Sequence, residues 1–303
     1  MPAAFLDRLA ARTAAVGTVL CLGLDPEPSS FPAGFAPDVH GLEAFCRIVL
    51  EAALPHAAAV KPNIAFFEAF GSAGLAALER LRATIPAGVP VVIDAKRGDI
   101  GSTAARQAVA LYDGLGADAI TVNPYLGEQA VEPLLERADR FAYVLCRTSN
   151  PGAGELQGLE VPPDATLGAP AEPLWARVAR RTVAWGPGGT VGLVVGATAP
   201  DELVAIRAIA PGLAFLVPGI GAQGGAVEPV VEHGPATAPP AGGRPGGGLL
   251  VSISRGIAGA ATGDGSAPDG GVGGAPERAP GGDPGARIAA AAADWASRLP
   301  VLS

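Results

Sequence analysis

Eight short apolar runs, separated by segments with helical spacing, constrain the fold of this 303-residue chain more than any other feature. Most runs are rich in β-branched residues, and each ends in a polar or glycine-containing turn. This pattern is typical of strands buried on both faces of a parallel sheet. The runs lie at residues 19–25, 58–63, 91–96, 119–125, 143–147, 192–198, 214–221 and 249–256. Eight strands alternating with helices predict a single α/β domain, a (β/α)8 TIM barrel. A doubly wound sheet is the main alternative, but it does not usually need eight strands without a second domain.

Helical patterns fill most of the intervals between the runs. GLEAFCRIVLEAA follows the first run and LWARVARRTVAW follows the fifth, and a last helix is predicted near residues 286–298. The N-terminal segment MPAAFLDRLAARTA also has amphipathic helical spacing. Barrels of this kind reach about 300 residues as one domain, so we expect residues 1–303 to form a single domain.

Three segments depart from this alternation. Residues 234–248 and 259–285 are rich in Gly and Pro and poor in side chains that could pack. They predict flexible, unpacked surface insertions on either side of the last strand. Residues 148–170 are long for a connection between a strand and a helix. Because this connection leaves the carboxyl end of the fifth strand, it is predicted to form a partial lid.

Composition excludes several classes of function. The formal net charge is −8, so the chain lacks the basic surface that binds nucleic acid or an anionic membrane. No apolar stretch approaches the roughly 20 residues that cross a bilayer. The three cysteines, Cys21, Cys46 and Cys146, have neither disulfide-framework nor zinc-site spacing. A cytoplasmic protein without a bound metal is expected.

Charged residues cluster where the predicted strands end, which is where TIM barrels carry catalytic groups. Asp25 follows the first strand, Lys61 lies in the second, and Asp94 and Lys96 lie in the third, with Asp99 just beyond. Side chains two apart on a strand share a face, so Asp94 and Lys96 are expected to point the same way. Each residue alone could be a helix cap or a structural ion pair. A dense set of buried charges is tolerable only as an alternating network of carboxylates and ammonium groups.

A phosphate site is predicted at the loops after the seventh and eighth strands, PGIGAQGG (218–225) and SRGI (254–257). Glycines let backbone N–H groups approach an anion, Gln223 adds a donor, and Arg255 offers a planar fork for two oxygens. RTSNPG (147–152) ends the fifth strand. It reads equally well as an ordinary turn or as a loop in which Ser149 recognises a polar ring edge.

Together these segments resemble the orotidine 5′-phosphate decarboxylase family. The DxKxxD core occurs also in sugar-phosphate decarboxylases and aldolases of the same superfamily, but its combination with KPN, TSNPG and GAQGG is more specific. It is similar to the branch common in actinobacteria. The matching motifs are GLD (23–25), VKPN (60–63), DAKRGDIGST (94–103), TVNPYLG (121–127), RTSNPG (147–152), VVGAT (194–198), VPGIGAQGG (217–225) and SRGI (254–257). The two Gly/Pro-rich segments exceed what is expected of the family.

The resemblance implies a role for each residue in converting orotidine 5′-phosphate to uridine 5′-phosphate and CO2. Lys96 would protonate C6 of the pyrimidine, Asp94 would lie beside the substrate carboxylate, and Lys61 and Asp99 would complete the network. The implied binding roles are ribose contacts for Asp25 and Lys61, the pyrimidine edge for Ser149, packing nearby for Pro218, and phosphate for Gln223 and Arg255. No cofactor is implied.

The resemblance also implies a homodimer with shared active sites, because Asp99, Ile100 and Thr103 would enter the partner's site. Two alternatives remain at this point. One is a metal-dependent sugar-phosphate decarboxylase or aldolase of the same superfamily, and the other is a non-catalytic nucleotide-binding barrel.

Overall fold

Eight parallel strands form a barrel in the computed structural model, which describes residues 4–221, 223–262 and 283–302. Their order in the sheet is β2-β1-β10-β9-β8-β5-β4-β3, and isolated bridges from Val60 to Val91 and from Asn63 to Asp94 join β2 to β3. The eight predicted strands and the TIM barrel are therefore confirmed. The strands are β1 Leu20–Leu24, β2 Ala59–Pro62, β3 Val92–Arg97, β4 Ala119–Val122, β5 Phe141–Arg147, the antiparallel pair β6 Glu160–Val161 and β7 Glu172–Pro173, then β8 Val191–Val195, β9 Ala214–Val217 and β10 Leu250–Ile253.

Helices cover the outside of the barrel and bury their apolar faces against the strands. The predicted N-terminal and C-terminal helices are present. The helices are α1 Phe5–Val16, α2 Val39–Ala53, α3 Ile64–Glu68, α4 Gly71–Thr84, α5 Gly101–Ala108, α6 Glu132–Leu135, α7 Gly154–Gln157, α8 Leu174–Val183, α9 Pro200–Ile209, α10 Glu228–His233, α11 Arg255–Ala258 and α12 Pro284–Arg298. No helix in the described part of the chain is long and apolar enough to span a membrane.

Helix α1 closes the amino end of the barrel. Its buried residues Phe5, Leu6 and Leu9 form a second apolar cluster, mostly with side chains near the amino-terminal ends of the strands. The ring of Phe5 stacks on that of Phe141 with 4.8 Å between centroids. Because this end is filled with side chains, the carboxyl ends of the strands are the side available for a ligand.

The prediction that residues 234–248 form an unpacked insertion is wrong. Ala241 is fully buried, and Gly246 to Gly248 are buried with positive φ angles of 53° to 72°. A Cβ added to Gly248 would lie 2.8 Å from the Cβ of Ala214, and one added to Gly246 would lie 2.9 Å from Thr13. The small residues therefore allow close backbone packing against the start of β9 and α1, rather than leaving the segment free.

The second Gly/Pro-rich segment, 259–285, is described only at its ends. Residues Gly259–Ala261 form a 3-10 turn with Ala260 and Ala261 buried, and Asp283 caps the start of α12 by accepting from the Ala286 N–H. The rest of this predicted insertion lies outside the described residues.

Candidate active site

A cavity of 470 Å³ opens at the carboxyl ends of the barrel strands. Its walls combine charged and polar side chains with an apolar floor. The lining residues are Lys61, Asp94, Lys96, Thr121, Leu145, Thr148, Ser149, Asn150, Gln157, Val194, Leu216, Pro218 and Gln223. A pocket with an apolar floor and a few convergent polar groups is the usual form of a small-molecule site.

Three charged residues meet on one wall of the cavity. The Lys61 Nζ lies 3.3 Å from the Asp94 Oδ2, and the Lys96 Nζ lies 2.7 Å from the Asp94 Oδ1. The side chains of Lys61 and Asp94 are 7% and 12% exposed, whereas that of Lys96 is 50% exposed. One carboxylate thus holds two ammonium groups, and the outer one faces open space where a ligand can reach it.

Lys96 reaches Asp94 through a bulge, not through the regular strand alternation that the sequence predicted. Strands β3 and β4 pair regularly at Ile93, then the register shifts before it resumes at Arg97. Lys96 has a φ of 48°, the one positive φ at a residue other than glycine among those described. Bulges of this kind redirect side chains and are common beside active sites.

The charges in this group stabilise one another. Burial alone would raise the pKa of Asp94, but the positive charges of Lys61 and Lys96, with hydrogen bonds from Lys96 and Thr121, hold it well below its usual range. Burial would lower the pKa of Lys61, but the charges of Asp25 and Asp94 outweigh burial and raise it. Asp94 is therefore a carboxylate and Lys61 an ammonium at neutral pH.

Asp25 belongs to the same electrostatic group from its position just after β1. The negative charge of Asp25 raises the pKa of Lys61 more than the negative charge of Asp94 does. Its Oδ1 atom is buried and finds no hydrogen-bond partner among the described residues. A buried carboxylate oxygen without a partner can accept a hydrogen bond from a bound ligand.

Asp99, Ile100 and Thr103 are not part of this cavity. Asp99 accepts a hydrogen bond from the Ile100 N–H at 2.7 Å, and the Ile100 side chain is 69% exposed. Thr103 is exposed on the first turn of α5. The sequence grouped Asp99 with the lysines, but within one chain it contacts neither of them.

The loop after β5 brings Ser149 over the cavity because two glycines make room for it. A Cβ at Gly196 would lie 2.7 Å from the Ser149 nitrogen, and a Cβ at Gly219 would lie 2.7 Å from the Ser149 Cβ. The latter would also approach the Gln223 Oε1 at 2.9 Å. Ser149, Pro218 and Gln223 all line the cavity. Arg255 is exposed at the start of α11 and does not line the cavity.

Several residues that line the cavity were not predicted from the sequence. Thr121 lies one residue before the end of β4 and could have been found by the strand-end rule that selected the charged residues. Gln157 had no signal, because it reaches the cavity from α7 within the long connection. Its amide accepts from the Thr148 N–H at 2.9 Å and donates to the Thr148 Oγ1 at 2.8 Å. The predicted lid segment therefore supplies a wall of the pocket.

The described ranges contain no group of three or more His, Cys, Asp or Glu residues placed to hold a metal ion. Cys21, Cys46 and Cys146 are free and buried. Burial raises the pKa of Cys21 to about 12, which keeps its thiol protonated at neutral pH.

An eight-stranded parallel barrel with a lysine–carboxylate group at its carboxyl end defines an enzyme of the TIM-barrel class. Residues 18–267 match the model of the orotidine 5′-phosphate decarboxylase / HUMPS family. The chain belongs to that family, as its motifs indicated.

Similarity to known proteins, in sequence and in structure, supports this assignment. The chain is 47% identical over 256 residues to an orotidine 5′-phosphate decarboxylase of Thermomicrobium roseum, covering 84% of this chain and 86% of that protein. The structure of the Leishmania donovani OMP decarboxylase matches with 36% identity and a TM-score of 0.75, covering 97% of both chains. The UMP synthase of the same organism matches with 42% identity and a TM-score of 0.73, covering 84% of this chain. This chain spans about half of that longer protein, 52% of its length.

Proposed function

We propose that this protein converts orotidine 5′-phosphate to uridine 5′-phosphate and CO2, as a carboxy-lyase of pyrimidine biosynthesis that uses no cofactor. The observation that carries the proposal is the half-exposed ammonium of Lys96, held 2.7 Å from Asp94 at the rim of the cavity. Family membership and the names of the most similar relatives support the same substrate.

The chemical step needs a positive charge where a carbanion forms. The bond between C6 and the carboxyl carbon breaks, the electron pair stays on C6, and CO2 leaves. The Lys96 ammonium stabilises this pair and then transfers a proton to C6, and the neutral amine later regains a proton from solvent. Asp94 stays ionised and keeps Lys96 charged and oriented, so little reorganisation accompanies the reaction.

Groups remote from C6 would hold the nucleotide. Asp25 and Lys61 are proposed to bind the ribose, a role supported by the unpaired buried oxygen of Asp25. Ser149 would recognise the pyrimidine edge with Pro218 packed beside it, and Gln223 and Arg255 would bind the phosphate. These contacts contribute binding energy that the chemical step can use, because a single lysine cannot supply the whole rate enhancement.

A homodimer with shared active sites is part of the proposal. Asp99, Ile100 and Thr103 are directed to the cavity of the partner, which accounts for their separation from the lysines of their own chain. Ile100, Tyr125 and Leu126 are 69%, 78% and 61% exposed, and they follow the adjacent strands β3 and β4. Large apolar side chains exposed together support a contact surface between subunits.

A cytoplasmic location and a single domain over residues 1–303 complete the proposal. The location is supported by the three free, buried cysteines, since free thiols are usual in a reducing compartment.

Turnover of orotidine 5′-phosphate by the purified protein in the presence of EDTA tests the function. We expect the substrate absorbance to fall at the same rate with and without EDTA, and no release of CO2 from hexulose phosphates. The rival from the same superfamily is a metal-dependent sugar-phosphate enzyme. Turnover abolished by EDTA and restored by Mg²⁺, or activity on the sugar phosphate alone, would overturn the proposal.

A further inference from the structure

The hydroxyl group of Thr121 uses its full hydrogen-bonding capacity at the bulge beneath Lys96. Its Oγ1 donates to the Asp94 Oδ1 at 2.7 Å and accepts from the N–H groups of Ala95 and Lys96 at 3.0 and 2.9 Å. A threonine hydroxyl has one donor and two acceptor positions, so all three are occupied. Thr121 is 2% exposed, so water does not readily replace these bonds.

The sheet register explains why a side chain makes these bonds. Ile93 pairs with Ile120 and Arg97 pairs with Val122, so the three residues 94 to 96 of β3 lie opposite Thr121 alone. The β4 backbone cannot satisfy the extra N–H groups of the bulge. The Thr121 side chain takes its place at the point where Lys96 adopts its positive φ.

The same hydroxyl also fixes the carboxylate that holds both lysines. Asp94 Oδ1 receives the Thr121 hydroxyl and the Lys96 ammonium, each at 2.7 Å, while Oδ2 faces Lys61 at 3.3 Å. Thr121 therefore contacts the carboxylate, the backbone of the proton donor and the intervening residue. No other described side chain is hydrogen-bonded to both Asp94 and the Lys96 backbone.

From this geometry we propose that Thr121 is a positioning residue for decarboxylation, which holds the Asp94 carboxylate and the strained Lys96 backbone so that the ammonium meets C6. The inference rests on the proposed function and adds to it. Thr121 acts on the reacting group through Asp94 and the bulge. Its loss should therefore impair the chemical step while leaving nucleotide binding nearly unchanged, because Thr121 forms no hydrogen bond with any residue to which a ribose, pyrimidine or phosphate contact is assigned.

Three variants of the 303-residue chain test the assignment. Thr121→Val removes the hydroxyl at nearly constant volume and should lower kcat for orotidine 5′-phosphate by roughly 10- to 100-fold, with KM and the Kd of uridine 5′-phosphate changed less than about threefold. Thr121→Ser keeps the hydroxyl and should retain kcat within about threefold. Thr190→Val is the matched control, because Thr190 is a buried threonine at the amino end of β8 whose hydroxyl has no hydrogen-bond partner among the described residues.

Several results would overturn the assignment. These are an unchanged kcat in Thr121→Val, an equal loss in Thr121→Ser, or a loss of affinity that matches the loss of kcat. Thr121→Ala replaces the valine variant if that variant does not fold. Failure of both apolar variants to fold would make Thr121 a folding residue and refute a positioning role. An unmodified protein that does not turn over the nucleotide would refute the proposed function itself, which separates the two failures.

Discussion

At the scale of the residue, Lys96 combines a costly backbone conformation with a useful position. A left-handed φ at a residue other than glycine costs on the order of 1 to 3 kcal/mol and persists only where neighbouring groups hold it. Here the Asp94 carboxylate holds the ammonium and the Thr121 hydroxyl holds the amide. The strain thus occurs at the residue to which we assign proton transfer.

Arg255 is exposed and lies outside the cavity lining. Its proposed role therefore rests on a contact with the phosphate of the bound nucleotide. Arg255→Ala should cost about 2 to 4 kcal/mol of transition-state stabilisation, because a charge-assisted phosphate contact is lost. This loss lowers kcat/KM for orotidine 5′-phosphate by roughly 30- to 1,000-fold. Steady-state kinetics with the phosphorylated nucleotide and with orotidine provide the measurement.

The nucleoside is the internal control, because it lacks the phosphate and its slow turnover should be the same in Arg255→Ala and the unmodified protein. Arg244→Ala is the matched variant. Arg244 lies in the segment 234–248, which packs against α1, and it pairs with Asp7 of that helix. It should leave both substrates unaffected. A similar loss with orotidine would show that Arg255 does not act through the phosphate.

At the scale of the element, the sequence predicts the regular parts of the barrel well. Buried parallel strands need continuous apolar runs, and all eight runs became strands. The strand-end rule also selected Lys61, Asp94 and Lys96, which the structure brings together. These predictions succeed because strand periodicity and barrel polarity are local properties of the sequence.

Irregular elements were not predictable in the same way. The bulge in β3 depends on pairing with β4, so nothing within VVIDAK alone reveals it. Residues 234–248 look unable to pack because their side chains are small, yet smallness is what permits backbone contact at Gly246 and Gly248. Gln157 reaches Thr148 only because of the path of the long connection. Each feature depends on tertiary contacts that local patterns do not encode.

The connection after β5 is anchored to α8 by a buried carboxylate. Glu172 is 6% exposed, and its two oxygens accept from Arg177 at 2.9 Å and from Arg180 at 2.8 Å. Burial would raise the pKa of Glu172, but hydrogen bonds from Arg180 and Arg177 and their charges lower it. The carboxylate form is therefore the one that stabilises the fold.

Glu172→Gln should lower the free energy of unfolding by about 1 to 3 kcal/mol at pH 7, because two charge-assisted hydrogen bonds are weakened. Since the folded-state pKa is lowered, this stabilisation is present above the unfolded value of about 4.3 and is lost as the pH falls through the lower folded value. Urea unfolding of both proteins at several pH values is the measurement.

The difference in the free energy of unfolding between the unmodified protein and Glu172→Gln should therefore be greatest at pH 7. It should become smaller as the pH falls below about 4.3. Glu68→Gln is the control, because Glu68 pairs with Arg97 on the surface, where the two side chains are 41% and 32% exposed, and such pairs contribute less than about 1 kcal/mol. A difference that does not change with pH would contradict the proposed role of the Glu172 charge.

At the scale of the whole molecule, the apolar packing that stabilises the barrel and the charged group assigned to catalysis lie at opposite ends of the barrel axis. Helix α1 and residues 234–248 pack at the amino end, and the charged group lies at the carboxyl end. The chain is acidic overall, with a net charge of −8, so an anionic nucleotide must be held by a few placed cations. In this account one of the charged groups, Asp99, comes from the second subunit.

The central claim is that turnover needs Lys96 of one chain and Asp99 of its partner, and mixing of subunits tests it directly. Lys96→Ala and Asp99→Ala should each abolish turnover of orotidine 5′-phosphate while still binding uridine 5′-phosphate. After unfolding and refolding together in equal amounts, half the dimers are mixed and each has one intact site, so about one quarter of the unmodified activity should return. No recovery in mixed dimers whose formation is verified, or substantial turnover by Lys96→Ala alone, would contradict the account.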